Sequence, residues 1–328
     1  MSYQFQNVTT PRFYINALEW LASLDIITLP SDHFRTLPVA PTLFTNLSSY
    51  GWGDELGEQV FSKNCFFAFL GHTRASDSGG GIDLYMDPGG SFISYSDDIQ
   101  INIGATNSSQ GISTPQYDGF SIGSLEQTHL TLMVLYAYGN VGSIILGTYY
   151  DMKTAPNLSL TMSREYGGTN EFTTYNGSSM SNTMWNKPPK WGNLGAWELG
   201  DGNPSLAKSG RRSWDMKFSF IDDGDLWGSN QMLSTNTLIN EISDITFDPT
   251  TDLQGNGSFT YNLLTDDNFF SQVWHKTLGG TLPFIFQPDK DNNNPDQFAI
   301  CKFKNNSLKA TQSAFNVYDI SISIEEVW

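Results

Sequence analysis

The chain has 328 residues, of which 34 are acidic and 17 are basic, so its formal net charge is −17. A surface this acidic repels phosphate backbones, which argues against direct nucleic-acid binding. Charged residues make up only 16% of the chain and aromatic residues 14%, while Ser, Thr, Asn and Gly supply much of the polar remainder. This composition favours strands and turns over surface helices, and it predicts a mainly β protein.

The N-terminal segment, residues 1–55, is predicted to form one helix followed by an extended arm that docks on a neighbouring subunit. The stretch TPRFYINALEWLASLD carries apolar residues near helical spacing, with Thr10 as a cap and Pro11 in the first turn. Prolines and several Ser and Thr residues at 28–50 predict irregular structure. The opening MSYQFQNVTT lacks the basic and apolar regions of a secretory leader, so the usual export route is not expected.

The next segment, residues 56–140, is predicted to form a β-sandwich or jelly-roll domain. Short apolar runs such as CFFAFL, IDLYMD and IQINIGA alternate with turns rich in Gly, Ser and Asp. No run reaches the roughly 18 consecutive apolar residues that a membrane span requires, so no membrane span is predicted.

The remaining segment, residues 141–328, is predicted to form a second β-domain with one short helix. A half-buried strand is predicted where apolar residues alternate with polar ones, at Trp214, Met216, Phe218 and Phe220. The closing run VYDISISIEEV alternates in the same way and predicts a terminal strand.

The short helix of this segment is predicted in DDNFFSQVWHKTLGG. Asp266 or Asp267 is expected to cap its start, and Gly279 to end it.

The stretch LPFIFQPDKDNNNPDQFAICKF, residues 282–303, consists of two apolar runs joined by a polar connection. It predicts a β-hairpin with a solvent-facing turn. Asp289, Asp291 and Asn293 have the first spacings of a calcium loop, but the Gly and Glu that complete such a loop are missing. A looser calcium site that includes Asp296 is the weaker alternative, and no metal is predicted.

No arrangement of residues predicts catalysis, and neither enzymatic activity nor a cofactor is expected. The acidic cluster FIDDGDLW is interpreted as a turn after the Trp214 strand rather than as a carboxylate pair for glycoside hydrolysis. The four histidines have no metal-ligand spacing, and no Gly-x-Ser-x-Gly elbow is present. Cys65 and Cys301, the only cysteines, stand in apolar runs and predict two buried free thiols, with one bridge between them as the alternative.

Five residues are candidates for a subunit interface. Arg211 and Arg212 are the only adjacent arginines, and in so acidic a chain they are expected to pair with carboxylates of a neighbouring subunit. Trp191, Trp197 and the terminal Trp328 are interpreted as core or subunit contacts, because Trp is usually well buried and is enriched at interfaces. Sugar binding by the tryptophan-rich loop is the alternative.

Several segments in the C-terminal half resemble a family of virion-associated proteins of marine tailed bacteriophages. They are GTYYDM, APNLSLTMSREYGG, LAKSGRRSWDMKFSF, FFSQVWHKTLGGTLPFIFQPD and NVYDISISIEEVW. The resemblance covers roughly residues 144–328, and the opening TPRFYINALEWL is also similar. It implies a structural role in the tail or baseplate, location in the virion and no catalytic residues. By analogy at the level of the fold, residues 141–328 are also expected to be similar to a tail-tube or distal-tail module.

The function predicted from composition and resemblance together is that of a structural component of a tailed-phage virion. The chain is expected to form a symmetric homo-oligomer, a ring with sixfold symmetry, in contact with other tail or baseplate proteins. Such an assembly buries apolar edges and aromatic side chains that a monomer would expose. The alternative is a carbohydrate-binding protein that recognises the receptor at the tail tip.

Overall fold

The structure is a computed structural model that contains 21 strands, two α-helices, one 3-10 turn and one π-helix in the part of the chain it describes. That part comprises residues 8–29, 31–37, 42–44, 48–51, 64–70, 82–87, 99–103, 116–117, 120–125, 132–137, 139–165, 169–183, 211–227, 246–247, 259–260, 267–293 and 297–327. The helices are α1 (Ala17–Ser23), α2 (Asp223–Leu226) and the π-helix (Phe270–His275), with the 3-10 turn at Asp32–Phe34.

The strands of the first half of the chain are β1 (Arg12–Asn16), β2 (Thr42–Phe44), β3 (Ser48–Gly51), β4 (Cys65–Leu70), β5 (Ile82–Asp87), β6 (Ile99–Ile103), β7 (Gln116–Tyr117), β8 (Phe120–Leu125), β9 (Leu132–Ala137), β10 (Gly139–Val141), β11 (Ser143–Asp151) and β12 (Thr161–Glu165). Those of the second half are β13 (Thr169–Thr173), β14 (Ser179–Thr183), β15 (Arg211–Asp222), β16 (Thr246–Phe247), β17 (Phe259–Thr260), β18 (Phe284–Gln287), β19 (Ala299–Phe303), β20 (Ala310–Ala314) and β21 (Val317–Glu326).

Eleven of these strands form one antiparallel sheet in the order β12-β15-β21-β19-β18-β1-β11-β4-β8-β7, with β20 also paired to β21. The predicted mainly β fold is therefore confirmed. Strands β3, β9, β5 and β6 form a separate four-stranded sheet, and β2–β10, β13–β14 and β16–β17 form two-stranded sheets. The large sheet takes strands from residues 1–55, 56–140 and 141–328, so these three predicted segments share one sheet.

The central strands of the large sheet are buried on both faces, which explains why they read as continuous apolar runs. On one face lie Phe13, Phe284, Phe286 and their neighbours, packed with the π-helix, and ring centroids there are as close as 4.8 Å. The other face holds a second cluster around Tyr14, Phe66 and Ile300. Full burial of each such side chain contributes about 2 kcal/mol, so these two layers hold the sheet together.

The N-terminal prediction of a helix from Thr10 is wrong for its first half. Residues 12–16 form β1, a central strand that pairs with β11 and with β18 of the same chain. The helix α1 begins only after Asn16, whose side chain accepts a hydrogen bond from the Glu19 N–H at 3.2 Å. Residues 12–16 are therefore a central strand of the large sheet, with β11 on one side and β18 on the other.

The transition from β1 to α1 requires a glycine in the adjacent strand. Gly147 of β11 is the register partner of Asn16. A Cβ at this position would lie 1.8 Å from the Ile15 carbonyl oxygen, so no larger residue fits without a shift of the main chain.

The predicted hairpin at residues 282–303 is confirmed. Strands β18 and β19 pair antiparallel, with Phe284 opposite Cys301 and Phe286 opposite Ala299. The predicted terminal strand is also present as β21, which pairs with β15, β19 and β20. Cys65 and Cys301 are both buried and free, so the two-thiol prediction is correct and the bridge is absent.

The predicted short helix is the π-helix, and Gly279 follows it with a φ of +66°. Its first turn is capped by Asn268, whose Oδ1 accepts the Ser271 N–H at 2.8 Å, and Asp266 lies outside the described residues. Asp267 instead pairs with Lys153 at 2.9 Å.

Strand β15 follows the predicted alternation through Phe218 and then departs from it. A bulge between Phe218 and Ile221 shifts the register against β21, so Ile221 takes the inward position and Phe220 points to solvent. The acidic cluster after this strand forms α2, a single turn of helix, as its interpretation as a turn predicts. None of the helices described is long and apolar enough to cross a membrane.

Candidate functional site

Of the five predicted interface residues, the structure describes only the two arginines. Trp191, Trp197 and Trp328 lie outside the described residues, so their predicted roles are not assessed by the geometry. Arg211 begins β15 and is exposed, whereas Arg212 is buried. The two neighbours therefore stand in different environments despite their adjacency in sequence.

Arg212 is held by the C-terminal strand of its own chain. Its guanidinium donates to the Glu326 carboxylate from Nη2 at 3.1 Å and from Nε at 3.3 Å, and its main-chain N–H donates to the same carboxylate at 2.8 Å. A further bond runs from Nη2 to the Phe298 carbonyl oxygen at 2.7 Å. The side chains are 8% and 2% exposed. The prediction that Arg212 pairs with a neighbouring subunit is thus corrected: its charge is matched inside the chain.

Sequence reasoning missed Glu326, although a signal for it exists. Glu326 falls on the inward side of β21, in step with Ile320, Ile322 and Ile324. A carboxylate at an apolar position of an alternating strand requires a cationic partner, because a lone buried charge is costly. The adjacent arginines on a neighbouring strand were the candidates for that partner.

A second buried charge sits at the end of the π-helix. Lys276 is fully buried, and its Nζ donates to Gln272 Oε1 at 2.7 Å and to Thr148 Oγ1 at 3.1 Å. Burial lowers the pKa of Lys276 to about 7. Cys65 is the register partner of Thr148, and burial raises the pKa of its thiol to about 12. Both groups are enclosed, so this pair contributes to packing rather than to reactivity.

The described part of the polar connection of the β18–β19 hairpin is held by hydrogen bonds within the chain, and Asp296 of the alternative calcium site lies outside the described residues. Gln287 donates from Nε2 to the Asn292 carbonyl oxygen at 2.9 Å and accepts from the Tyr14 hydroxyl at 2.8 Å. Asp289 accepts hydrogen bonds from the Thr9 hydroxyl and the Asp291 N–H. Within the described ranges, no group of three or more His, Cys, Asp or Glu side chains is suited to hold a metal ion.

A first exposed apolar surface in the part of the chain that the structure describes is the hairpin of β13 and β14. Phe172 and Met180 are directly opposite each other in its register and are 53% and 51% exposed, and Tyr175 in its turn is fully exposed. Among the described strands, β13 and β14 pair only with each other. Paired strands without a third strand or a packed face are only marginally stable in water.

The second exposed apolar surface, called here the sheet-end patch, consists of Leu158, Phe220 and Phe315. These side chains are 104%, 77% and 88% exposed. All three lie at the end of the large sheet where β15 ends and β21 begins. Exposed apolar groups of this size are typical of interaction surfaces.

No match to this chain was found among protein-family models, curated proteins or solved structures. The two apolar surfaces and the buried charges therefore provide the structural observations on which a function can be argued.

Proposed function

We propose that the chain is a structural component of a tailed-bacteriophage virion, in the tail or baseplate, where it assembles as a symmetric homo-oligomer. The resemblance of its C-terminal half to virion-associated phage proteins supports the class. The observation that supports self-assembly is the β13–β14 hairpin, residues 169–183.

The hairpin exposes more apolar surface than an isolated pair of strands can stabilise. Phe172 and Met180 share one face, where a cross-strand pair contributes at most about 1 kcal/mol. Burial of that face against a second layer would remove both half-exposed side chains from water and stabilise the two strands.

The charge of the hairpin favours another copy of the chain as that second layer. Each copy carries a net charge of −17, so two copies repel each other across most of their surfaces. Residues 169–183 include a single charged side chain, Glu171. This stretch is therefore a place where two like-charged copies can approach closely at little electrostatic cost.

The edge of the large sheet offers a second element for the same contact. Among the described strands, β12 ends the large sheet on one side, and all five of its residues are exposed. An exposed edge strand presents main-chain N–H and C=O groups that a strand from another chain can pair with. A ring of copies, for which sixfold symmetry is our proposal, would use this edge instead of leaving it as an aggregation hazard.

Self-assembly is tested by the mass of the purified full chain. Native mass spectrometry and analytical ultracentrifugation should give a closed oligomer, and six copies would fit the proposed ring. The double variant Phe172→Ser, Met180→Ser should shift the mass towards the monomer, while its far-ultraviolet circular dichroism remains that of a folded β protein. Phe220→Gly, which removes an exposed aromatic elsewhere, is the matched control and should leave the mass unchanged.

The virion assignment is tested separately by proteomics and a density map of purified particles. The chain should be found in particles in a fixed ratio to the major tail proteins. A chain that is monomeric at all concentrations, or one missing from purified virions, would refute the proposal.

A further inference from the structure

Strand β15 holds one aromatic side chain outwards at a place where its pattern would bury it. Phe220 follows Phe218 at a spacing of two, which would place both on the core side. The bulge at this point turns Phe220 to solvent and gives it a φ of +61°. Bulky residues are rarely found in this left-handed region, because their Cβ crowds the main chain. Such an outlier is a reason to look for a function.

Specific contacts maintain this conformation. The Phe220 N–H donates to the Asp319 Oδ1 of β21 at 3.2 Å, and Lys217 Nζ lies 3.4 Å from the other oxygen of that carboxylate. The hydrogen bond from Phe220 is the main cause of the lowered pKa of the Asp319 carboxyl. Asp319 of the neighbouring strand β21 therefore stabilises the bulge.

The other two members of the sheet-end patch are brought to the same place by hydrogen bonds. Asn157, next to Leu158, donates its N–H to the Lys217 carbonyl oxygen at 2.7 Å. Asn316, next to Phe315, accepts the Asp223 N–H at 2.9 Å. The patch is thus carried by three segments that flank the end of β15.

The net charge around the patch is negative. Residues 217–227 and 312–319, which form this end of the sheet, contain four Asp and one Lys. Because Lys217 pairs with Asp319, the net negative charge comes from Asp222, Asp223 and Asp225. A second copy of this chain, an anionic lipid surface and a nucleic acid are all negatively charged and are disfavoured here. A positively charged partner is attracted.

We propose that the sheet-end patch docks a different protein that presents an apolar pocket bordered by Lys and Arg side chains. Phe220 inserts into the pocket, and Asp222 and Asp223 of the adjoining turn face the basic border. Aromatic anchors within a charged rim are the usual arrangement of residues that dominate binding energy. This inference goes beyond self-assembly, since it concerns another surface and a partner of opposite charge.

The test uses the full chain and a short fluorescent peptide of alternating Leu and Lys, followed by anisotropy. The peptide should bind the native protein, and Phe220→Gly should weaken binding by at least about tenfold, as expected for loss of an anchor. Because Gly adopts positive φ without strain, this variant should retain or raise the melting temperature. Asp222→Asn with Asp223→Asn should also weaken binding.

Matched peptides and variants decide between this proposal and its rivals. Peptides of alternating Leu and Glu, or of Ser and Lys, should bind at least about tenfold more weakly than the Leu–Lys peptide. Phe172→Ser, on the hairpin, should leave Leu–Lys binding unchanged. Equal binding of the Leu–Lys peptide to the native chain and to Phe220→Gly would overturn the proposal. So would a loss of self-association in Phe220→Gly, or vesicles of phosphatidylcholine and phosphatidylglycerol that bind the native chain but not this variant.

Discussion

Replacement of Glu326 by Gln is expected to destabilise the protein strongly, because it removes the carboxylate charge that the buried Arg212 guanidinium pairs with. The Glu326 carboxylate accepts three hydrogen bonds from Arg212, and both side chains are less than a tenth exposed. Removal of one partner of such a pair costs about 3–5 kcal/mol. The bond from Arg212 to the Phe298 carbonyl oxygen survives and keeps the loss within this range.

The free energy of unfolding from urea titration measures this loss, and the neighbouring residue supplies the control. Glu325 precedes Glu326 in β21 and pairs with Lys304 at 3.8 Å, but its side chain is 48% exposed. Glu325→Gln makes the same chemical change at the surface and should cost less than about 1 kcal/mol. Equal losses of unfolding free energy in the two variants would refute the reasoning, because burial would then not determine how much an ion pair contributes to stability.

A double substitution separates the electrostatic contribution of the Arg212–Glu326 ion pair from the packing contribution of the two side chains. Arg212→Met with Glu326→Met replaces both charges by apolar groups of similar length, so neither is left unmatched. Such replacements are often neutral or stabilising by about 1–4 kcal/mol. We expect the double variant to be more stable than Glu326→Gln, and a double variant less stable than that single one would contradict the charge argument.

Three further predictions concern the buried Lys276, the close contact of Gly147 with the main chain of β1, and the two buried cysteines. Because burial lowers the pKa of Lys276 to about 7, its contribution to stability increases as the pH rises from about 7 towards 10.5. In urea titrations between about pH 7.5 and 8.5, the free energy of unfolding of the native chain should therefore rise by up to about 1.4 kcal/mol per pH unit more than that of Lys276→Met. An equal pH dependence of the two proteins would contradict this. Gly147→Ala should cost about 3 kcal/mol in thermal denaturation, whereas Gly224→Ala, with open space around it, should cost under about 1 kcal/mol. Burial raises the pKa of Cys65 and Cys301, so a thiol reagent at about pH 8 should label neither in the folded chain and both in urea.

The strands were predictable where one simple rule dominates. Two apolar runs around a connection rich in Asn, Asp and Pro indicate a hairpin, and β18 and β19 form it. Alternation likewise predicts β21 and most of β15. These signals are local, since a strand with one or two buried faces records its burial in its own residues.

The N-terminal stretch shows why a local signal can mislead. Residues 12–16 carry aromatic and β-branched side chains that fit a strand, yet Phe13 also continues the helical spacing of α1. The outcome depends on pairing with β11 and β18, which lie more than a hundred residues away in sequence. Tertiary pairing overrides local preference here, and no short window contains that information.

The buried charges were predictable only in part. Glu326 on the inward side of β21 indicates that a cation must lie near it, but the choice of Arg212 depends on the register between β15 and β21. The bulge at Phe220 is harder still, because the apolar alternation continues through it without a break. Only the registers of β15 and β21 reveal that one aromatic has been moved from the core to the surface.

The two exposed apolar surfaces should respond to salt in opposite directions, and this response distinguishes them without any substitution. Copies that meet at the nearly uncharged hairpin are held apart by the net charge of −17 on each chain, so salt that screens this repulsion should strengthen self-association. Docking of a basic peptide at the acidic sheet-end patch depends on attraction, so the same salt should weaken it. Sedimentation and anisotropy from about 50 to 500 mM sodium chloride measure both effects. If salt strengthened or weakened both self-association and peptide binding, charge would not distinguish the partners of the two surfaces.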